Sequence, residues 1–162
     1  MPEEMRVFHT LEPLYDEHSR VLILGSFPSV VSRKEAFYYA NPTNRFWKVL
    51  AALFEEEIAD RREFCHRHHI ALWDVIESCT IHASSDASIK DVKPNDISMI
   101  VSSAEIQRIF TTGGKAASLY RKYIHLEVPH TALPSTSAAN ASMRLEDLVK
   151  EYDIVRRACE ED

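Results

Sequence analysis

Two short stretches carry residue types that could do chemistry together. The first is Gly25-Ser26-Phe27-Pro28-Ser29, followed by Phe37-Tyr38-Tyr39-Ala40-Asn41-Pro42-Thr43-Asn44-Arg45-Phe46-Trp47. The second is Leu133-Pro134-Ser135-Thr136-Ser137-Ala138-Ala139-Asn140. An aromatic face suits a flat ring. A side-chain amide such as Asn44 can accept a hydrogen bond from water and orient it, although it is no strong base. Hydroxyls and backbone N–H groups of a Ser-rich loop can hold phosphate oxygens. Asp74, in Leu72-Trp73-Asp74-Val75-Ile76, offers acceptors only when ionised. Each residue also has a plainer reading. Tyr39 could be core, Asn44 a helix cap, Asp74 a cap or an ion-pair partner, and the Ser-rich loop an ordinary turn.

The elements that must position these residues can be read from the surrounding pattern. Val21 to Leu24 is a continuous apolar run with β-branched members, as in a strand buried on both faces. Gly25 ends it, and ligands of open α/β sheets bind at the carboxyl edge of such strands. Strands are expected at 20–24, 70–76, 106–111 and 127–133. Helices are expected from about Arg45 to Glu56, from Asp60, from Asn95 or Asp96 to near Ala104, from Lys115 to Tyr123 and from Ser142 to Ala158. Residues 7–18 read as a short segment packed over the sheet, broken by Pro13. Residues 26–44 read as a long irregular connection, and residues 77–95 as a polar loop with Ser84, Ser85, Asp86, Ser88, Lys90 and Lys93. Strands that alternate with helices argue for a parallel sheet covered on both faces.

The two stretches resemble motif I and the C-terminal Pro-Ser loop of the uracil-DNA glycosylase superfamily. The likeness spans roughly residues 5 to 157 and is nearest to the hypoxanthine-DNA glycosylase branch. It implies a three-layer α/β/α sandwich with a central four-stranded parallel sheet, a single domain over 1–162, and hydrolysis of the bond between a deaminated base and its deoxyribose. The base would be flipped into a pocket. By the same resemblance Tyr39 is expected to stack on that base, Asp74 to read its edge, and Gly25, Ser26 and Phe27 to contact it. Ser29, Pro134, Ser135, Thr136 and Ser137 would contact DNA, and Met143 or Arg144 would fill the gap left by the flipped nucleotide. In most of the superfamily the residue at Phe27 is an Asp or Asn that positions water. A phenyl ring cannot do this, and the hypoxanthine branch shares the loss. Asn44 is then the expected water-positioning residue. The competing reading is a catalytically silent lesion-binding module of the same fold.

Composition bounds these readings. The chain has 162 residues, 45% hydrophobic and 27% charged, as for one globular domain. The net charge of −6 and pI near 5.7 argue against broad nonspecific DNA binding, which rests on Lys and Arg. Arg33, Lys34, Arg45, Lys90 and Lys93 are candidate phosphate contacts or simply solvated cations. Cys65, Cys79 and Cys159 are scattered and read as reduced structural thiols, which suits a cytoplasmic protein that associates with the nucleoid when on DNA. His66, His68 and His69 lack the set of ligands a zinc site needs, and Gly113-Gly114-Lys115 lacks the spacing of a phosphate loop. No Gly-x-Ser-x-Gly elbow supports a serine hydrolase. No metal, cofactor or membrane span is expected. The partner is expected to be double- or single-stranded DNA carrying a deaminated base, bound by a monomer.

Overall fold

The computed structural model describes residues 4–82 and 88–160. Four parallel strands form the central sheet in the order β3-β2-β6-β7: β2 (Val21–Gly25), β3 (Ile70–Asp74), β6 (Arg108–Thr112) and β7 (His130–Leu133). β2 lies between β3 and β6, and Val21 to Leu24 are fully buried. A strand covered on both faces has no polar side, which is why its sequence is a continuous apolar run.

Six helices accompany the strands among the described residues: α1 (Val30–Glu35), α2 (Phe46–Phe54), α3 (Arg61–Arg67), α4 (Ser98–Ser103), α5 (Gly114–Tyr123) and α6 (Leu145–Glu160). α3 packs on β3, α6 on β2 and α2, and α5 on β6 and β7. By the right-handed rule for parallel strands, the β2-to-β3 crossover that holds α2 and α3 lies on one face of the sheet and the β6-to-β7 crossover that holds α5 on the other, and α6 packs with α2. This is the layered α/β arrangement expected from the alternation. The segment expected at 7–18 to pack over the sheet instead begins in β1 (Glu4–Phe8), a strand of a second sheet, and then runs along the edge of the first. Leu11 and Leu14 are buried, and Leu14 exchanges backbone hydrogen bonds of 3.0 and 2.9 Å with Leu72 along the outer edge of β3.

The sequence reading departs from the structure in three further places. Residues 77–95 are not simply a loop. β4 (Ile76–His82) and β5 (Lys90–Pro94) join β1 in a second, antiparallel sheet of order β1-β4-β5. The outer strands β1 and β5 are largely exposed and polar, β4 between them is mostly buried but mixes Ser, Cys and Thr with Ile, and Ser and Lys are poor strand signals. Register shifts within the β4–β5 pair further blur the alternation. Of the loop residues named above, Ser84, Ser85 and Asp86 fall outside the described residues. The connection at 26–44 contains α1, capped by Ser29, whose Oγ accepts from the Ser32 N–H at 3.1 Å. Asn95 does not cap α4. Its Nδ2 donates to the carbonyls of Asp74 (2.9 Å) and Ile76 (3.2 Å), tying the end of β3 to the start of β4.

Cys65, Cys79 and Cys159 are all buried. Burial raises the Cys65 thiol far above its ordinary value and pushes Cys159 up to about 12, so neither is poised as a nucleophile. Among the described residues no helix is long and apolar enough to cross a membrane. The sheet centre should dominate stability. Ile23→Ala, at a fully buried position, is expected to cost about 2–5 kcal/mol in a denaturant titration without changing the far-ultraviolet dichroism of the folded protein.

Candidate functional site

Strand register builds the floor of a cleft. Gly25 pairs with Asp74 and Leu24 with Thr111, so Gly25, Asp74 and Thr112 end at one level on the carboxyl edge of the sheet. The chain leaves β2 toward one side of the sheet and β6 and β7 follow on the other, so a crevice opens between β2 and β6 at their carboxyl ends. A cavity of about 190 Å³ lies there. Gly25, Ser26, Phe27 and Ser29 line it from one side, Tyr39 and Asn44 from the second, and Ser135, Thr136 and Ser137 from the third. Asp74 and Thr112 complete its floor. A space this small suits one flat ring rather than a whole nucleotide.

Asp74 is almost fully buried, and its environment is specific. Oδ2 accepts from His9 Nε2 at 2.8 Å, with the two side chains 6% and 3% exposed. Oδ1 lies above Gly25, where a Cβ built on the glycine would come within 2.5 Å of it. Position 25 therefore needs glycine for close approach rather than for an unusual dihedral angle. The plain alternatives for Asp74, a helix cap or a Lys or Arg partner, are not what the structure holds. His9 follows β1 and lies far from both motifs in sequence, so nothing in its neighbourhood signalled the contact.

Among the three consecutive aromatics, the structure separates the roles. Phe37 stacks on Trp47 outside the cavity (5.9 Å between centroids, 22°). Tyr38 is buried, donating its hydroxyl to the Glu12 carbonyl at 2.7 Å and accepting from Trp47 Nε1 at 3.0 Å on its own carbonyl. Tyr39 lies at the cavity wall with one ring face against Phe46 (3.8 Å, 12°) and its hydroxyl 3.0 Å from Thr112 Oγ1. Its φ of +52° is left-handed, uncommon for a residue with a Cβ and costly enough to need support from its surroundings. Burial, and then the Asp74 carboxylate, raise both phenols well above their usual range, so each is a neutral donor at physiological pH. Phe27 meets the edge of the His9 ring, and the Arg33 guanidinium sits 5.4 Å from its centroid.

Asn44 is not the N-cap of α2, a position held by Arg45; it stands one residue earlier, and its Oδ1 accepts from the Phe46 N–H at 2.9 Å in an Asx turn that leads into the helix. The same oxygen accepts from the Thr136 hydroxyl at 2.7 Å. Because a backbone N–H can only donate, the amide orientation is fixed, and both lone pairs of Oδ1 are engaged. Thr136, which is 2% exposed, keeps its own lone pairs. The amide and the hydroxyl thus act as one unit across the two motifs.

Arg45 is not placed as a phosphate contact. Its guanidinium donates to the carbonyls of Ser137 (2.9 Å), Asn140 (3.0 Å) and Met143, and its backbone N–H donates to the Thr136 carbonyl at 3.0 Å. One side chain therefore clamps the Pro-Ser loop onto the start of α2. The loop also braces itself, since Ser135 Oγ accepts from the Ser137 N–H and Asn140 Nδ2 donates to the Ser135 carbonyl. Pro134 lies behind the cavity, its carbonyl accepting from the Tyr152 hydroxyl. Arg144 stands away from the cavity at 76% exposure, close to Glu146 and Asp147. Lys90 and Lys93 are on the small sheet, paired with Glu4 (2.7 Å) and Glu77 (3.3 Å). His66 and His68 pair with Asp16 and Glu56 instead of converging on one point.

The profile of the uracil DNA glycosylase superfamily matches residues 12–156. The chain belongs to that superfamily. It is 32% identical over 134 residues to a hypoxanthine DNA glycosylase of Methanosarcina barkeri, covering 79% of this chain and 85% of that protein. A hypoxanthine DNA glycosylase of Methanosarcina acetivorans is 31% identical over 131 residues, covering 77% and 83%. A solution NMR structure from Methanosarcina acetivorans, itself proposed to be a uracil DNA glycosylase, superposes with a TM-score of 0.80 at 28% identity, over 97% of this chain and all of that one.

The Arg45 clamp is directly testable. Arg45→Met leaves three loop carbonyls without their donor and is expected to cost about 2 kcal/mol. Hydrogen exchange should accelerate at the amides of residues 136–143 while those of β2 stay protected. Unchanged exchange in the loop would contradict the clamp.

Proposed function

We propose that the protein is a monofunctional DNA glycosylase that hydrolyses the N-glycosidic bond of a flipped, deaminated base, hypoxanthine first and uracil second. The observation that carries the reading is the convergence of three different groups on one cavity, in a chain of this superfamily. These are a π-face at Tyr39, a carboxylate oxygen at Asp74, and the Asn44–Thr136 pair. The two relatives named as hypoxanthine DNA glycosylases favour the same substrate. The site acts on DNA as a single domain and without a partner subunit, where the chromosome is accessible in the cytoplasm.

In this reading the exposed face of Tyr39, backed by Phe46, stacks on the flipped base. Asp74 Oδ1 accepts from a ring N–H. Hypoxanthine presents that donor at N1, whereas adenine presents a lone pair there and is repelled by the carboxylate. The reaction separates charge between an oxocarbenium-like sugar and a departing base, and fixed dipoles around the cavity lower the cost. Phe27 cannot hold the attacking water. Thr136 Oγ1 donates to Asn44 Oδ1 and accepts from the water, while Asn44 Nδ2 donates to it. Between them they orient one lone pair of the water toward the sugar. The Pro-Ser loop and Ser29 hold the strand through backbone N–H groups and hydroxyls, and Arg144, exposed beyond the loop, would have to turn from Glu146 and Asp147 to reach DNA.

Single-turnover excision on duplexes carrying inosine, uracil, xanthine or no lesion tests the reading. Cleavage of the inosine strand after alkali, above the other three, is expected. No cleavage of any duplex by folded protein would instead support a lesion-binding module. Asn44→Ala should lower the excision rate about a hundredfold or more, and should also cost about 1 kcal/mol of stability through the lost hydrogen bonds to the Phe46 N–H and the Thr136 hydroxyl. A near-normal rate would remove Asn44 from the mechanism. Gly25→Ala places a methyl group against Asp74 Oδ1 and should lower excision about a hundredfold through misplacement of the base.

A further inference from the structure

The His9–Asp74 contact has features that stabilising the fold alone does not require. A carboxylate and an imidazole lie side by side at 2.8 Å, each almost fully buried, at the floor of the cavity. Burying such a pair is costly and is seldom the best route to stability. Only Asp74 lines the cavity; His9 stands behind it, its ring held among Phe27, Tyr38 and Trp73 at centroid distances of 6.0, 6.3 and 6.4 Å. Its own backbone N–H donates to the Glu77 carbonyl at 2.7 Å, fixing it to the second sheet. The imidazole is therefore rigid, and it fixes the rotation of the carboxylate. Oδ2 is turned to the buried side, and Oδ1 is left over Gly25 and facing the cavity.

We propose that His9 is a positioning residue that makes Asp74 a single-oxygen acceptor and thereby excludes guanine from the pocket. The inference rests on the glycosylase reading above. Guanine and hypoxanthine both present N1–H, so a carboxylate that accepts this donor does not by itself tell them apart. Guanine adds a 2-amino N–H beside N1–H, and these two parallel donors match the two oxygens of a freely turning carboxylate, as a guanidinium does. Hypoxanthine has only the first donor, with a C–H in place of the amino group. With Oδ2 turned to His9 and away from the cavity, the second donor of guanine finds no carboxylate oxygen beside the first and loses its hydration on entry, which is unfavourable. Hypoxanthine leaves nothing unpaired. The undamaged base, in vast excess in any genome, is thus refused by the same carboxylate that reads the damaged one. Specificity here lies in what is denied to the competitor as much as in what is offered to the substrate.

The test uses two duplexes that differ by one amino group, inosine opposite thymine and guanine opposite thymine. Single-turnover excision and duplex affinity are measured on both. In His9→Leu the ratio of inosine to guanine, in rate and in affinity, is expected to fall about ten- to hundredfold, the worth of one hydrogen bond to a charged group. In His9→Gln, whose Nε2 reaches nearly the same point as the imidazole Nε2, the ratio is expected to be retained. His9→Asn is polar but too short, and should lose the ratio. A ratio unchanged in His9→Leu, with both duplexes weakened together, would show a purely structural role and overturn the assignment. Equal ratios in His9→Gln and His9→Asn would overturn it as well, even if His9→Leu does not fold. Wild-type protein that binds inosine over guanine but cuts neither would count against the glycosylase reading alone, because the affinity ratios still decide the part played by His9.

Discussion

The close approach of Asp74 to Gly25 is the constraint on which the site depends. Parallel pairing of β2 with β3 sets these two residues opposite one another at the last rung of the ladder. There the carboxylate leans over its neighbour's backbone, in space that a Cβ would occupy. A one-residue slip of either strand would turn Asp74 to the other face of the sheet and bring Trp73 to the cleft. Slippage is resisted by the burial of every residue from Val21 to Leu24 and from Ile70 to Trp73. Hydrophobic burial, which is non-directional, thus fixes a polar atom to the position its chemistry needs. The ends of the two strands are also tied downstream, because the Val75 and Ile76 N–H groups donate to the carbonyls of Gly25 and Ser26.

A second constraint joins the two motifs, which are some ninety residues apart in sequence. Asn44 and Arg45 are adjacent, yet they bond the second loop in opposite senses. Asn44 Oδ1 accepts from Thr136, and Arg45 donates to carbonyls along the loop. The start of α2 therefore serves as the seat of the Pro-Ser loop. Phe46, the next residue, supports Tyr39 from behind. Three successive positions supply a polar partner, a clamp and a stacking support. An Asn-Arg-Phe run at a helix start has this use because residues before and within the first turn project in different directions, and only the later ones are committed to the helix's buried stripe.

What was legible in the sequence follows from which interactions leave a local trace. The four parallel strands and the helices α2, α5 and α6 announce themselves by apolar runs or helical periodicity, because burial imposes those patterns residue by residue. The cavity residues Gly25, Tyr39, Asn44, Asp74 and Thr136 were legible through resemblance to a family, and they do meet in one place. The small sheet was not legible: β1 and β5 are exposed and polar, β4 mixes polar with apolar residues, and the register of the β4–β5 pair is shifted. His9 and Thr112 were missed because each acts through a contact with a residue distant in sequence. A lone histidine after a polar strand carries no spacing signal. Arg45 was misread for a related reason. An arginine beside a DNA-binding motif suggests phosphate, but the carbonyls that satisfy it lie at residues 137–143 and leave no mark on its own neighbours.

The acidic balance of the chain becomes intelligible once its cations are placed. Arg67 is held by Glu56 and Glu63, Arg156 by Asp153 and Glu160, Arg157 by Asp153, and Lys90 and Lys93 by Glu4 and Glu77. The carboxyl group of Glu56 is lowered to about 2, first by hydrogen bonds from Arg67, so that pairing persists through the whole neutral range. Cations engaged in this way neutralise acids of their own chain and offer little to a phosphate backbone. Arg33, Arg61 and Arg62 instead lie over the rings of Phe27, Trp47 and Phe37, where the contact is with a π-face and the charge is not cancelled. Of these, Arg33 lies over Phe27, which lines the cavity, whereas Arg61 and Arg62 stand by Trp47 and Phe37 outside it. A net charge of −6 then weakens nonspecific attraction to DNA over most of the surface, while the Arg33 guanidinium stays beside the cleft over Phe27. For a pocket that must reject an immense excess of undamaged bases, discrimination gains when affinity comes from the cleft and little of it comes from the rest of the molecule.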